Sequence, residues 1–136
     1  MTPMRLSVLV VSRTAGLLSR MLTTLKEALH LPCEEVEVLC SWNGSSEEEA
    51  RIENTSNYEF LVANRAPYHF ASNMNALAEK ANGEVLLLIN DDVLLDDNSV
   101  DAALNCLSAQ PSTGLVGARL RDREGRLTHA GILFDR

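Results

Sequence analysis

Hydrophobic residues are distributed along the chain in two alternating patterns, short runs and longer stripes at helical spacing. The run at 6–11 is almost wholly apolar, which is typical of a strand buried on both faces. The run at 84–89 is the most apolar in the chain and predicts a buried strand. Shorter runs at 36–40 and 58–62 predict two further strands, because polar or turn-forming residues bound them on both sides. The pattern therefore predicts at least four β-strands.

Apolar residues at every third or fourth position lie between these runs and predict amphipathic helices. The three stripes comprise Leu18, Met21, Leu22, Leu25 and Leu29; Phe70, Met74, Leu77 and Ala81; and Val100, Ala103, Leu104 and Leu107. Pro32 and Gly83 mark the ends of the first two helices. A short helix is predicted at the glutamates 47–49, since carboxylates suit the first turn of a helix. Two last strands are predicted at 114–120 and 127–134.

Strands and helices alternate at least three times, which predicts an α/β fold: a three-layer sandwich with a mainly parallel central sheet. A chain of 136 residues suits one domain. In such sheets ligands bind at the carboxyl ends of the strands. The polar turns at 12–14, 42–45 and 90–92 each follow a predicted strand directly. We expect these turns to converge on one crevice.

Composition narrows the classes of partner. The chain has 46% hydrophobic, 23% charged and only 4% aromatic residues, which is ordinary for a globular protein with an aliphatic core. Its formal net charge is −7 and it contains no run of basic residues, so a nucleic-acid polymer is not expected as a partner. A single nucleotide remains possible, because one bound metal ion can neutralise its diphosphate.

Cysteine spacing and hydropathy indicate the compartment. Cys33, Cys40 and Cys106 form no C-x-x-C pair, so neither a zinc site nor a disulfide framework is indicated. The N-terminus has no signal-peptide pattern, and the longest apolar run, 85–89, is too short to span a bilayer. These features predict a cytoplasmic protein without a transmembrane segment, either free or peripheral to the inner face of the membrane.

Two adjacent aspartates, Asp91 and Asp92, follow the most apolar run. Like charges side by side repel, and a low-polarity setting raises that cost unless a cation is bound. A divalent cation such as Mg²⁺ or Mn²⁺ takes carboxylate and water oxygens and bridges to substrate phosphates. Alternatively, both aspartates are solvated turn residues that cap the next helix. Asp96, Asp97 and Asn98 already supply such caps, which weakens this alternative.

The segment 86–95 (LLLINDDVLL) resembles the D-x-D region of family 2 glycosyltransferases, which have the Rossmann-like GT-A fold. The resemblance extends along almost the whole chain. Segment 7–13 is similar to the family's first strand and loop, 42–46 (WNGSS) to its D-N-G-S-T turn, and 117–131 to the part after the D-x-D helix. Phe70, Ala71, Asn75, Ala81 and Gly83 match its FA…N…A.G helix. The resemblance implies that residues 1–136 form a single nucleotide-sugar-binding domain, a fragment of a longer glycosyltransferase truncated before the acceptor-binding half.

The resemblance also implies roles for individual residues in the D-x-D region. Asp92 corresponds to the aspartate that ligates the metal, Mn²⁺ or Mg²⁺. Asp91 corresponds to the neighbouring residue that contacts the ribose or the donor sugar. Asn90 stands where many members have Asp and would reach the ligand through a hydrogen bond.

Five other residues are implied in binding the nucleotide sugar: Ser12, Arg13, Asn43, Gly44 and Asn75. Ser12 and Arg13 lie where the first loop lines the nucleotide, and Asn43 and Gly44 where the second turn borders the base. Trp42 departs from the family, because it replaces the acidic residue that opens this turn. Trp42 either stacks on the base or packs against the neighbouring helix.

The chemistry implied by the resemblance is transfer of a sugar from a nucleoside diphosphate to an acceptor hydroxyl, with inversion. The implied partners are the donor and a saccharide or lipid-linked saccharide acceptor. The general base is expected beyond Arg136, so this chain alone is expected to bind the donor but to transfer poorly. A non-catalytic nucleotide-binding or interaction remnant of the fold stays open. A nucleotidyltransferase is disfavoured because 12–16 (SRTAG) lacks a G-x-G-x-R loop, and a receiver domain because no acidic pair follows the first strand.

Overall fold

The computed structural model describes residues 3–131. The chain divides into two compact units, Met1–Val100 and Asp101–Arg136. The end of the strand predicted at 127–134, beyond residue 131, lies outside the described residues. Within 3–131, no helix is both long and apolar enough to cross a membrane.

Strands and helices alternate in the first unit. The order is β1 (Leu6–Ser12), α1 (Ala15–Ala28), a 3₁₀ turn (Cys33–Glu35), β2 (Val36–Trp42), α2 (Ser46–Glu49), β3 (Glu59–Asn64), α3 (Phe70–Lys80) and β4 (Val85–Asn90). Each predicted strand and helix of this unit is present, with boundaries that differ by a few residues. The short helix α2 is capped by Ser45, whose side chain accepts a hydrogen bond from the Glu48 N–H at 3.1 Å.

All four strands belong to one parallel sheet with the order β3-β2-β1-β4. Helix α3 packs on one face, where Met74 and Leu77 form an apolar cluster with Leu9 of β1 and Leu39 of β2. Val8 points to the opposite face and is also fully buried, so both faces of β1 are covered. The predicted α/β fold with a mainly parallel central sheet is confirmed.

Helix α1 buries its predicted apolar stripe, since Leu18, Met21, Leu22 and Leu25 have no exposed surface. The expectation that the run at 84–89 forms a buried strand is wrong for one face of β4. Leu86 and Leu88 are 41% and 58% exposed. Strand β4 ends the sheet and α3 packs over the other three strands, so that face of β4 lies beyond the helix.

A hydrogen-bond network around the buried side chain of Glu37 stabilises the edge of the sheet where the strands begin. Glu37 Oε1 accepts hydrogen bonds from Ser7 Oγ at 2.6 Å and from the Asn82 N–H at 2.7 Å, and Oε2 accepts from Asn82 Nδ2 at 3.3 Å. Ser7 Oγ in turn accepts from the Gly83 N–H at 2.8 Å. A Cβ on Gly83 would lie only 2.5 Å from the Ser7 nitrogen. Gly83 therefore permits this close approach of the two backbones. The prediction that Gly83 caps the helix is wrong, because α3 ends earlier, with Ala81 as its C-cap.

The second unit contains most of α4 (Ser99–Ala109) and a hairpin of β5 (Leu120–Arg121) and β6 (Leu127–His129). Backbone hydrogen bonding from Arg126 holds the pKa of Asp122, in the hairpin turn, below its usual value. The strand predicted at 114–120 is wrong for 114–119, which has no regular structure. Among the described residues this stretch has no partner strand, and an apolar pattern without a partner forms no ladder.

Candidate functional site

A cleft of about 500 Å³ lies at the carboxyl edge of the sheet in the first unit. Residues from all three polar turns line it, so the expected convergence of those turns is confirmed. Of the predicted site residues, the cleft brings together Ser12, Arg13, Asn43, Asp91 and Asp92. Asn90 also lines it.

Ser12 connects the three turns. Its hydroxyl donates a hydrogen bond to Asp91 Oδ2 at 2.7 Å and accepts one from the Thr14 N–H at 3.3 Å. Its carbonyl accepts from the Asn43 N–H at 2.9 Å. Only 4% of the surface of Ser12 is exposed. Ser12 therefore holds the turns together as well as lining the cleft.

The two aspartates differ in their surroundings. Asp91 is half-buried and has one carboxylate oxygen committed to Ser12. Asp92 is exposed and makes no hydrogen bond or ion pair with another residue of the described range. Within 3–131, no group of three or more His, Cys, Asp or Glu side chains is placed to hold a metal. Two adjacent carboxylates suit a cation such as Mg²⁺ or Mn²⁺ that completes its shell with water and phosphate oxygens.

Trp42 packs rather than facing the cleft. It is 3% exposed, and its Nε1 donates to the Ser45 carbonyl at 3.1 Å. A Cβ on Gly44 would lie 2.7 Å from both Trp42 Cζ2 and the Arg13 carbonyl oxygen, so the turn requires glycine there. Gly44 lines a smaller neighbouring cavity of about 230 Å³ and not the main cleft. Of the two interpretations of Trp42, the structure favours packing.

The loop between β3 and α3 forms another wall of the cleft. Asn73, 1% exposed, accepts from the His69 N–H at 2.8 Å and donates to the Pro67 carbonyl at 3.3 Å. Asn43 Nδ2 donates to the carbonyl of Ala66, so the second turn also holds this loop. Asn43 Oδ1 is buried and accepts no hydrogen bond from the described residues.

Two aromatic residues, Tyr68 and Phe70, line this wall and are 69% and 45% exposed. Sequence reasoning missed Tyr68 and assigned Phe70 only to the apolar stripe of α3. The sequence did contain a signal for this wall, because the loop that carries Tyr68 directly follows the predicted strand 58–62 and has two aromatic residues close together. Conversely, Asn75 is exposed on α3 and does not line the cleft. The structure therefore does not bring Asn75 together with the other predicted site residues.

Carboxylates of α2 make two polar links around the cleft. Glu48 Oε1 accepts from the Ala15 N–H, the first of α1, at 2.9 Å, while Thr14 at the N-cap makes no side-chain cap. Glu49 pairs with Arg65, with one of the two hydrogen bonds at 3.0 Å. The hydrogen bond from Arg65 lowers the pKa of Glu49.

Cys40 lies in β2 without exposed surface. Burial, with the nearby charges of Asp91 and Glu49, raises the pKa of its thiol to about 12. A neutral thiol is a poor nucleophile and a poor metal ligand. Cys40 is therefore a small buried residue beneath the site and not part of its chemistry.

Comparison with known sequences gives one family. The family described as Glycosyl transferase family 2 matches residues 7–130. The O-antigen biosynthesis protein RfbC of Myxococcus xanthus is 34% identical over 67 residues, which cover 49% of this chain and 5% of RfbC. The uncharacterized protein y4gI of Sinorhizobium fredii is 29% identical over 97 residues, which cover 68% of this chain and 11% of y4gI.

Two solved structures share the fold. The mannosyltransferase PcManGT from Pyrobaculum calidifontis, in complex with GDP-Man and Mn²⁺, matches 83% of this chain with a TM-score of 0.69 and 20% identity. S. aureus TarS 1–349, in complex with UDP, matches 88% with a TM-score of 0.57 and 14% identity. The matches span 36% and 40% of those two chains and 11% or less of the two curated relatives.

Proposed function

This chain belongs to glycosyl transferase family 2, and from that membership we propose that its cleft binds the nucleoside diphosphate of a sugar donor together with a divalent cation. The observation that carries the proposal is the meeting of Asp91 and Asp92 with the Ser12 and Asn43 turns in one cleft. Its volume of about 500 Å³ lies within the range of ligand pockets.

Asp92 would hold the cation, and Asp91 would contact the ribose or the donor sugar. The exposed carboxylate of Asp92 can bind directly, whereas Asp91 is oriented by its hydrogen bond from Ser12. We propose Mn²⁺ or Mg²⁺, because PcManGT was solved with Mn²⁺ and because both cations accept carboxylate, water and phosphate oxygens. When bound, the cation would neutralise charge on the leaving diphosphate.

Arg13 contributes a positive charge to the cleft wall, where it would attract a phosphate. Asn43 would border the base, as its turn does in the family. Gly44 and Asn75 have a weaker place in the proposal, since neither lines the cleft. Gly44 would act indirectly by shaping the turn.

The proposed reaction is transfer of the sugar to an acceptor hydroxyl with inversion at the anomeric carbon. The acceptor oxygen forms the new bond to that carbon, the bond to the diphosphate oxygen breaks, and a base takes the hydroxyl proton. We propose a saccharide or lipid-linked saccharide as acceptor. The acceptor site and the base are assigned to no residue of this chain.

Thermal unfolding with nucleotides tests the donor site. UDP, GDP and dTDP are each added with and without Mn²⁺ to the wild type, to Asp92→Ala and to the control Asp97→Ala, an exposed aspartate outside the cleft. At a nucleotide concentration of about 100 times Kd, binding stabilises by about 2.7 kcal/mol, which raises Tm by several degrees. We expect this rise for at least one nucleotide, only with Mn²⁺, in the wild type and Asp97→Ala. The proposal fails if no nucleotide stabilises the wild type more than Asp92→Ala, each compared with its own ligand-free Tm.

A further inference from the structure

Tyr68 is a large aromatic side chain that stays open to solvent while lining the cleft. It is 69% exposed. Single exposed apolar residues are common on protein surfaces and need no explanation by themselves. An exposed ring at the wall of a cleft otherwise lined largely by polar turns is different, because it offers a flat apolar face to a ligand.

The backbone that carries Tyr68 is held in place on both sides. The Asn73 side chain bonds to Pro67 and to His69, the two neighbours of Tyr68, and the Asn43 side chain bonds to Ala66. Asn73 is almost fully buried, so these bonds are shielded from water. A ring on a fixed loop loses less conformational entropy when a ligand covers it, which favours binding.

The other aromatic rings compared with Tyr68 are either buried or less exposed. Trp42 is buried, with its Nε1 bonded to Ser45. Tyr58 is 7% exposed, and its hydroxyl donates to the Leu29 carbonyl at 2.9 Å. Phe70 lines the cleft but begins α3 and is less exposed than Tyr68. Tyr68 therefore presents the most accessible aromatic face in the cleft.

We propose that Tyr68 is the platform on which the nucleobase of the donor stacks. This inference rests on the proposed function, since it requires a nucleotide in the cleft. Every base has a π-face, so stacking adds affinity without choosing strongly between bases. Tyr68 accordingly takes the stacking role for which Trp42 was an alternative in the sequence.

Calorimetric titration in the presence of Mn²⁺ tests the platform by comparing UDP and GDP with inorganic pyrophosphate, which has no base. The variants are Tyr68→Ala, Tyr68→Leu and Tyr68→Phe, with Phe70→Ala for comparison and Leu61→Ala as a control at an exposed apolar residue of β3 outside the cleft. We expect Tyr68→Ala and Tyr68→Leu to weaken UDP and GDP by about tenfold, within the range for one stacked base. Tyr68→Phe and Leu61→Ala should bind as the wild type does, and pyrophosphate should bind equally to every variant.

Three outcomes overturn the stacking role. The first is unchanged nucleotide affinity in Tyr68→Ala, and the second is full retention of affinity in Tyr68→Leu, which would indicate a general apolar contact. The third is loss of nucleotide affinity in Phe70→Ala with Tyr68→Ala unaffected. If the wild type binds neither nucleotide nor pyrophosphate, the proposed function itself fails, so the two failures are distinguishable.

Discussion

Replacement of Glu37 by alanine would remove the acceptor that fastens the α3–β4 connection to β1 and β2. Three hydrogen bonds end on this carboxylate, from Ser7 Oγ and from the backbone and side chain of Asn82. Glu37 is 7% exposed and Ser7 is fully buried, so water does not readily replace the lost acceptor. We therefore expect Glu37→Ala to destabilise the protein strongly.

The magnitude follows from the three bonds. A hydrogen bond to a charged group contributes about 1.5–3 kcal/mol, and the 3.3 Å bond to exposed Asn82 Nδ2 contributes less than the two at 2.6 and 2.7 Å. The expected loss in Glu37→Ala is about 3–5 kcal/mol, a large part of the stability of a single domain. Glu37→Gln keeps a carbonyl oxygen for the two short bonds and should lose only about 1–2 kcal/mol, because neutral acceptors bind more weakly.

Urea unfolding followed by circular dichroism measures these losses. The matched control is Glu59→Ala, because Glu59 is paired with Glu37 in the neighbouring strand β3 but is exposed. We expect Glu59→Ala to change stability by less than about 0.5 kcal/mol. If Glu37→Ala costs no more than Glu59→Ala, the network does not hold the sheet edge as argued.

Three further predictions concern the surroundings of the cleft. Gly44→Ala should lower the free energy of unfolding by about 1–3 kcal/mol, because the added Cβ would meet atoms at 2.7 Å. Gly16→Ala in α1 is the control: its Cβ meets nothing within 4 Å, and it should raise the free energy of unfolding by about 0.5–1 kcal/mol. Equal effects of the two substitutions in urea unfolding would contradict this prediction. Cys40 should resist iodoacetamide in the folded protein, while the two exposed cysteines, Cys33 and Cys106, should react. Mass spectrometry of the labelled peptides measures this, and labelling of Cys40 at the same rate as the exposed cysteines would refute the prediction. The pKa of Glu49 is lowered, so its pairing with Arg65 stabilises the fold above the unfolded pKa and is lost as pH falls through the folded one. An NMR titration should therefore show a higher Glu49 pKa in Arg65→Ala, and an unchanged pKa would exclude the pairing in solution.

Much of the first unit could be predicted from the sequence because its elements are strongly periodic. The apolar stripe of α1 is fully buried as expected, and the runs at 6–11 and 36–40 are strands at the centre of the sheet. The convergence of the polar turns followed from a general property of parallel sheets, whose carboxyl ends share one edge. These are properties of local pattern and simple topology.

Side-chain partners could not be predicted in the same way. The hydrogen bond between Ser12 and Asp91 joins residues 79 positions apart, and no local pattern indicates it. On α3, Asn75 matched the family motif, but Asn73 is the buried residue that holds the loop. Two residues along a helix correspond to a rotation of about 200°, so a small change of position moves a side chain to the opposite face.

The position of Glu48 at the beginning of α1 has a consequence for the charge balance of the cleft. A free helix N-terminus attracts anions through its unpaired N–H groups, but here a carboxylate of the protein already occupies the first of them. A diphosphate in the proposed donor site would therefore meet, beside Thr14, a helix end whose first N–H is already bonded to a carboxylate, and Asp91 and Asp92 add further negative charge to the cleft. Under the proposed function, the donor and its cation should be taken up as one complex. Nucleotide affinity should then rise with the concentration of free divalent cation, so that the supply of metal controls occupancy of the cleft.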